Sequence, residues 1–397
     1  MKNDNDPPIP LARPDLGTAE EEEVLGALRG GRLALGPKTG EFERLFAGFV
    51  GSPWAAAVSS GTAALHIAVR ALSIGPEDCA VTSSLSFIAA ANALSYEGAE
   101  PVFLDVDPDS LCLSPSALRQ YLDSCKEAED GLHDPNTGRR VAAVMPVDIF
   151  GHPAKLDEII EIAAPASIPV VSDSCEALGS QFQRSDAWVH AGTGAKITVY
   201  GFYPNKQITT GEGGMATGTD PDIEERIRSL RNQGRRSGDP WLHHTRIGYN
   251  YRLDELSAAL GVAQMRRVDE ILERRSRVVS WYQEELAGVE GVSTPRAASW
   301  AKPSWFVEFL LVSKEVDRDK VVLHLNAKGI ESKAYFDPPV HRQPPYAVRP
   351  HLAPGPLPVT DDAAARNVIV PLYGGLSRTE VARVCDALRS GLGEAAA

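Results

Sequence analysis

Short apolar runs alternate with stretches of helical period through the first two-thirds of the chain. Val102 to Val106, Val141 to Val147, Ile168 to Val171 and Ile197 to Phe202 show little polar alternation, the pattern of strands covered on both faces. Thr62 to Leu72, Ser86 to Ser95 and Pro221 to Gln233 carry the spacing of helices. Such alternation predicts an α/β/α sandwich around a mixed, mostly parallel sheet. In sheets of this kind the strand ends gather ligands, so residues just after strands matter most.

Asp123 to Arg140 is charged and holds the turn Asp134-Pro-Asn-Thr-Gly138, which predicts a surface excursion. From about Arg252 one long helical pattern runs through Arg252-Leu-Asp-Glu-Leu-Ser-Ala-Ala-Leu260 towards Glu285 and leads out of the large domain. A smaller C-terminal α/β domain follows, with a strand at Phe306 to Val312 and helices at Arg318 to Lys328 and Arg378 to Leu388. The division expected is 1–260, N-terminal arm included, and 261–397. Pro338 to Pro358 reads equally as a structured loop or a flap.

Composition narrows the class. The 397 residues suffice for two domains, and 43% hydrophobic with 23% charged residues is ordinary for a globular enzyme. A net charge of −13 argues against a nucleic-acid binder, yet leaves room for a small anion in a donor-rich pocket. The five cysteines, Cys79, Cys112, Cys125, Cys175 and Cys385, are scattered and form no metal-ligand pairs, so reduced thiols and no metal are expected. The opening Met-Lys-Asn-Asp-Asn-Asp-Pro-Pro lacks the apolar segment of a secretory signal, and no stretch is apolar enough to span a bilayer; a cytoplasmic protein without membrane partners is expected.

Five short segments carry candidate chemistry. Ser59-Ser60-Gly61-Thr62 follows the apolar Ala55 to Val58 and opens a helix whose first N–H groups can hold an anion. A plain helix cap by Ser60 or Thr62 accounts for the same residues. Phe87, among small neighbours, can stack on a flat ring or simply fill a core. Asp173 ends an apolar run; there a carboxylate needs a positive or donating partner, such as a protonated pyridine nitrogen, or serves as an N-cap. Lys206 lies between the apolar Ile197 to Tyr203 and the small-residue Thr209-Thr-Gly-Glu-Gly-Gly214, where an amine beside an anionic cofactor can form a Schiff base and move protons. Asn250, in Arg246-Ile-Gly-Tyr-Asn-Tyr-Arg252, is a polar contact or a helix-start cap.

In this order the segments resemble the DegT/DnrJ/EryC1/StrS family of pyridoxal-phosphate (PLP)-dependent sugar aminotransferases, which have the aspartate-aminotransferase fold (fold type I). The likeness runs from about Ile9 to Leu388. It rests on Ser60-Gly-Thr-Ala-Ala-Leu-His66, Ser86-Phe-Ile-Ala89, Pro101-Val-Phe-Leu-Asp-Val-Asp107, Pro146-Val-Asp-Ile-Phe-Gly-His-Pro153, Asp173-Ser-Cys-Glu-Ala-Leu-Gly179, Phe202-Tyr-Pro-Asn-Lys206 with Thr209-Thr-Gly-Glu-Gly-Gly214, and Gly248-Tyr-Asn-Tyr-Arg252. Pro339-Val-His341 and Val370-Pro-Leu372 extend it.

The resemblance implies that Lys206 binds pyridoxal 5'-phosphate covalently and is the catalytic base, with Asp173 on the pyridine nitrogen. It further implies Phe87 on the ring, Gly61 and Thr62 on the phosphate, and Glu176 near the ring hydroxyl. Asn250 is implied to reach the phosphate of a neighbouring subunit, giving a homodimer with shared active sites. Arg235, Arg252 and His341 are substrate-side candidates, with cap, surface or ion-pair roles as their alternatives. Gly201 stands where relatives often have a phosphate-binding serine, and Asp148 and Leu178 stand where histidine is frequent.

The activity implied is transfer of an amino group from glutamate or glutamine to a nucleotide-linked keto sugar. The alternatives are a keto-cyclitol or other non-nucleotide acceptor, a sugar dehydratase, and a regulatory protein of the same fold. Lysine at 206, where the best-known dehydratases have histidine, favours transamination.

Overall fold

A computed structural model describes residues 7–236, 238, 240, 242–294 and 297–395. The apolar runs form a central sheet whose neighbours, in order, are Trp54–Val58, Gly214–Gly218, Ile197–Gly201, Val171–Asp173, Arg140–Met145, Asp78–Ser83 and Glu100–Leu104. Gly214–Gly218 is antiparallel to both its neighbours, and the remaining pairs are parallel. The ladder expected at Ile168 to Val171 sits later, at Val171–Asp173. Pro169 lacks an N–H to donate, and pairing before Val171 is reduced to the Val144–Val170 bridge.

Strand alternation sends side chains to two helical layers. Ala56, Val58, Val199 and Ala216 pack with the helices Gly61–Ala71 and Pro221–Leu230. Ala55, Ala57, Tyr200 and Met215 point the other way, towards Pro37–Val50 and Glu255–Arg266. The mixed sheet is thus covered on both faces, as the alternation of runs predicts.

The long pattern from Arg252 is two helices, not one. Arg252 itself bridges Val58, Asp254 caps Glu255–Arg266 by accepting the Leu256 and Ser257 amides, and the chain turns at Arg267 before Val268–Glu285. Arg267 is held at that break by Asp15 and Glu20, contacts no helical periodicity reveals. Beyond it, Glu308–Val312 and Asn367–Val370 form a small antiparallel sheet, packed with Arg318–Ala327 and Arg378–Ala395. Ile9 joins this core and hydrogen-bonds with Gly329 and Glu331.

The excursion at 123–140 holds a short hairpin, Lys126–Ala128 with Gly131–His133, anchored by a buried Asp134 that accepts the Tyr121 hydroxyl at 2.7 Å. The Pro338 to Pro358 segment is structured: the Val340 amide bonds Ser84 O at 3.0 Å, and the Tyr346 hydroxyl bonds Asn92 at 2.8 Å. Among the described residues no helix is long and apolar enough to cross a membrane.

Candidate active site

A cavity of about 620 Å³ opens where the strands Val171–Asp173 and Ile197–Gly201 end and the helix Gly61–Ala71 begins. One wall comes from that helix start. Ser60 caps it, its hydroxyl accepting the Ala63 amide at 3.0 Å and its carbonyl the Ala64 amide. The next residues, Gly61 and Thr62, line the cavity, so capping by Ser60 leaves these helix-start residues at the cavity wall. Glycine is needed here for close approach. A Cβ on Gly61 would lie 3.2 Å from Cys175 Sγ and 3.3 Å from Gly201 Cα, and one on Gly214 would lie 2.4 Å from the Ser60 carbonyl. At Gly201 a Cβ would make ordinary contacts with Cys175, at 3.4 and 3.5 Å.

Asp173 lines the cavity with only 7% of its surface exposed. Backbone bonds to Pro146 and Asp148 fix its main chain, and the Cys175 amide donates to its Oδ1 at 3.1 Å. Burial pushes its carboxyl above the usual range; hydrogen bonds from Cys175 and the charge of Lys206 pull it back, while Glu176 opposes them. Behind it, Asp148 is fully enclosed. It accepts the Ala154 amide at 2.7 Å and the Ser174 hydroxyl at 2.5 Å, yet burial, helped by the Asp173 charge, pushes its carboxyl up to about 7.

The Nζ of Lys206 reaches the cavity 3.2 Å from Glu176 Oε1 and 3.9 Å from the centre of the Phe306 ring. Glu176 is fixed from its other oxygen by the Phe150 amide at 2.9 Å, and its carbonyl accepts from Gln207. Phe87 stands at the mouth, 64% exposed although aromatic.

Gly61, Thr62, Phe87, Asp173, Glu176 and Lys206 therefore line one cavity. The other candidates lie elsewhere in this chain. Arg235 and Arg252 both donate to the side-chain oxygens of Asn232 and Gln233. Asn250 is exposed on the neighbouring strand-like turn, bridged to Asn232. His341 bonds the Ser84 hydroxyl at 2.7 Å and borders a separate surface cleft. Leu178 is buried in the apolar cluster behind the sheet.

Sequence reasoning missed the cavity's aromatic roof: Phe306, Tyr335 and Phe336, with Tyr203 and Asn205 beside them. Tyr335 is set by its amide bond to Asn367, and Phe336 stacks on Phe150. No local pattern marks Tyr335 or Phe336, which arrive from far along the chain. Phe306 opens the strand predicted at Phe306 to Val312, whereas the sequence rule attends to residues just after strands, so it too carried no signal.

This donor set fits pyridoxal phosphate. The glycine-walled helix start suits a phosphate, the buried Asp173 a pyridinium, the Lys206 amine an aldehyde, and the uncovered Phe87 ring a flat heterocycle.

The profile of the DegT/DnrJ/EryC1/StrS aminotransferase family matches residues 14–389. The GDP-perosamine synthase of Caulobacter vibrioides is 35% identical over 390 residues, covering 96% of this chain and 98% of that protein. The dTDP-3-amino-3,4,6-trideoxy-alpha-D-glucose transaminase of Streptomyces venezuelae is 32% identical over 384 residues, 96% of this chain and 94% of that one. Among solved structures, S. venezuelae DesV superposes with a TM-score of 0.84 at 31% identity, over 97% of this chain and 98% of that chain.

Proposed function

This chain belongs to the DegT/DnrJ/EryC1/StrS aminotransferase family and is a PLP-dependent enzyme of fold type I; from that premise we propose that it moves an amino group from glutamate, or glutamine, to a nucleotide-linked keto sugar. The observation that carries the reading is the meeting of Lys206 and Asp173 in one cavity with Gly61, Thr62 and Phe87. The Caulobacter and Streptomyces relatives, named for a GDP-linked and a dTDP-linked amino sugar, support the acceptor class.

Bound PLP supplies an aldehyde that takes up amines and a ring that withdraws electrons from the carbon next to nitrogen. The protein's share is placement and proton movement. Gly61 and Thr62 offer amides at the helix start to the phosphate. The Asp173 carboxylate would hold a proton on the ring nitrogen, which would keep the ring electron-poor. Phe87 covers one ring face. Nζ of Lys206 would hold the aldehyde and, once an incoming amine has displaced it, would be free as the base that carries the proton. Glu176, 3.2 Å from that nitrogen, would orient it and, as the family resemblance implies, would meet the ring hydroxyl. The roof of Phe306, Tyr335 and Phe336 excludes water while the proton moves. Donor and acceptor use the same cavity in turn, so ping-pong kinetics follow.

Asn250 and its turn serve the cavity of a second copy, which makes the working unit a homodimer with shared sites. The exposed leucines Leu16, Leu25, Leu28, Leu33 and Leu35, which lie before, within and after the helix Thr18–Arg29, support burial of this segment against another chain.

The test is the donor half-reaction. PLP-loaded protein is mixed with glutamate or glutamine, and visible absorbance and keto-acid release are followed, with Lys206→Ala alongside. Conversion in the wild type only, followed by amination of GDP- or dTDP-linked keto sugars and not of free keto-cyclitols, supports the whole reading. Preference for the cyclitols overturns the acceptor class, and conversion by Lys206→Ala overturns the role of the lysine.

A further inference from the structure

Asn250 stands between two tyrosines that face the other way. Successive side chains alternate along a strand-like turn, so Tyr249 and Tyr251 share one side and Asn250 takes the opposite one. The two tyrosine rings stack, with centres 5.0 Å apart and planes 10° from parallel. Both meet the ring of the buried His66, at 4.7 and 5.8 Å, while Asn250 is left exposed. The main chain of the turn is fixed as well. The Tyr249 amide donates to the Leu230 carbonyl, the Tyr251 amide to the Arg231 carbonyl at 3.0 Å, and the Tyr251 carbonyl accepts the Ser59 amide at 2.9 Å.

One carboxylate gathers the side chains. Oε1 of Glu97 accepts the Tyr249 hydroxyl at 2.5 Å and lies 2.8 Å from Nε2 of His66, while Oε2 accepts from Arg70 at 3.0 Å. An ionised carboxylate only accepts, so Nε2 donates to Glu97, and Nδ1 of the neutral ring accepts the Tyr251 hydroxyl at 3.0 Å. Both tyrosine hydroxyls thus have a partner in a largely enclosed network, and a connected network of this kind favours a single geometry. None of its members lines the cavity of its own chain.

We propose that Glu97 is a positioning residue: with His66 it locks Tyr249 and Tyr251 against the helix Gly61–Ala71 and so holds Asn250 outward for the phosphate in the cavity of a second copy. This rests on the reading that Asn250 serves the partner's site. Removing the carboxylate leaves Tyr249, His66 and Arg70 without their common acceptor. The turn then gains freedom, and ordering it again when the cofactor binds costs affinity.

Equilibrium dialysis measures the PLP dissociation constant of wild type, Glu97→Ala, Asn250→Ala and the variant carrying both substitutions. Circular dichroism and sedimentation confirm that each is folded and paired. Asn250→Ala should bind about tenfold more weakly, the value of one hydrogen bond to a charged group, and Glu97→Ala about three- to tenfold more weakly. Because Glu97 acts through Asn250, the double variant should match Asn250→Ala alone. Should Glu97→Ala fail to fold or to pair, Tyr249→Phe decides in its place, since it removes one hydroxyl and keeps the stacked ring. It should bind about threefold more weakly, with no further loss on the Asn250→Ala background. Wild-type affinity in the deciding variant, or losses that multiply when it is combined with Asn250→Ala, overturns the proposal, because the network then works through its own chain or not at all. Wild-type affinity in Asn250→Ala overturns instead the reading of Asn250 on which the proposal rests.

Discussion

Nζ of Lys206 and Oε1 of Glu176 lie 3.2 Å apart, and the Phe150 amide pins the second Glu176 oxygen at 2.9 Å. The amine is thereby aimed by a carboxylate that cannot swing away. Phe150 has φ +55°, an unusual conformation for a bulky residue, so the loop that pins Glu176 is itself held by its surroundings. The stacked Phe309 ring, 4.3 Å from that of Phe150, is part of what holds it.

Glu176→Gln keeps an oxygen for the Phe150 amide but removes the charge facing Lys206. The fold should survive, with a melting temperature within about 2 °C of wild type. The donor half-reaction should slow by about tenfold, in keeping with loss of one charge-assisted contact. Stopped-flow absorbance measures it; an unchanged rate would show that Glu176 does not orient the amine.

Asp148 makes stability depend on pH. Its carboxyl is raised from the ordinary 3.8 to about 7, chiefly by burial, so between these values the folded chain holds a proton that the unfolded chain has released. The stability it contributes is therefore full below about pH 4 and is lost as pH rises through about 7. The slope from this single group is at most about 1.4 kcal/mol per pH unit. Asp148→Asn should flatten the fall of urea midpoints between pH 5 and 8 relative to wild type. Parallel curves for the two proteins would rule the assignment out.

Gly201 leaves space that the chain does not use. A Cβ there makes only ordinary contacts with Cys175, at 3.4 and 3.5 Å. Gly201→Ser should place a hydroxyl at the cavity floor and raise PLP affinity about three- to tenfold, the value of one added hydrogen bond. Gly201→Ala, which adds the carbon and no donor, should leave affinity within about twofold of wild type. Equal effects from both would trace the change to packing.

Subunit mixing tests the role proposed for Asn250. Lys206→Ala and Asn250→Ala proteins, each impaired alone, are unfolded together and refolded at equal amounts. Random pairing leaves half the dimers mixed, each with one intact site, so about a quarter of wild-type activity should return. No recovery would mean that Asn250 acts within its own chain.

Much of the architecture was legible because it is local. Fully apolar runs announced buried strands, and helical spacing announced Gly61–Ala71 and Pro221–Leu230. The long helix from Arg252 was misread because its break at Arg267 is set by Asp15 and Glu20, which come from the other end of the chain. The cap by Ser60, one of two readings in the sequence, is what the fold shows, and it leaves the next two residues at the cavity wall.

By itself the sequence determined the α/β alternation and, through the resemblance its ordered motifs carry, the family and the cavity-lining set Gly61, Thr62, Phe87, Asp173, Glu176 and Lys206, because motifs are read from neighbours along the chain. Only the tertiary structure decided the aromatic lining by Phe306, Tyr335 and Phe336, the raised Asp148 carboxyl, and the seating of the Cys175 thiol between two glycines. These depend on burial and on partners brought close from remote segments. Desolvation and contact are properties of the packed molecule and leave no periodicity to read.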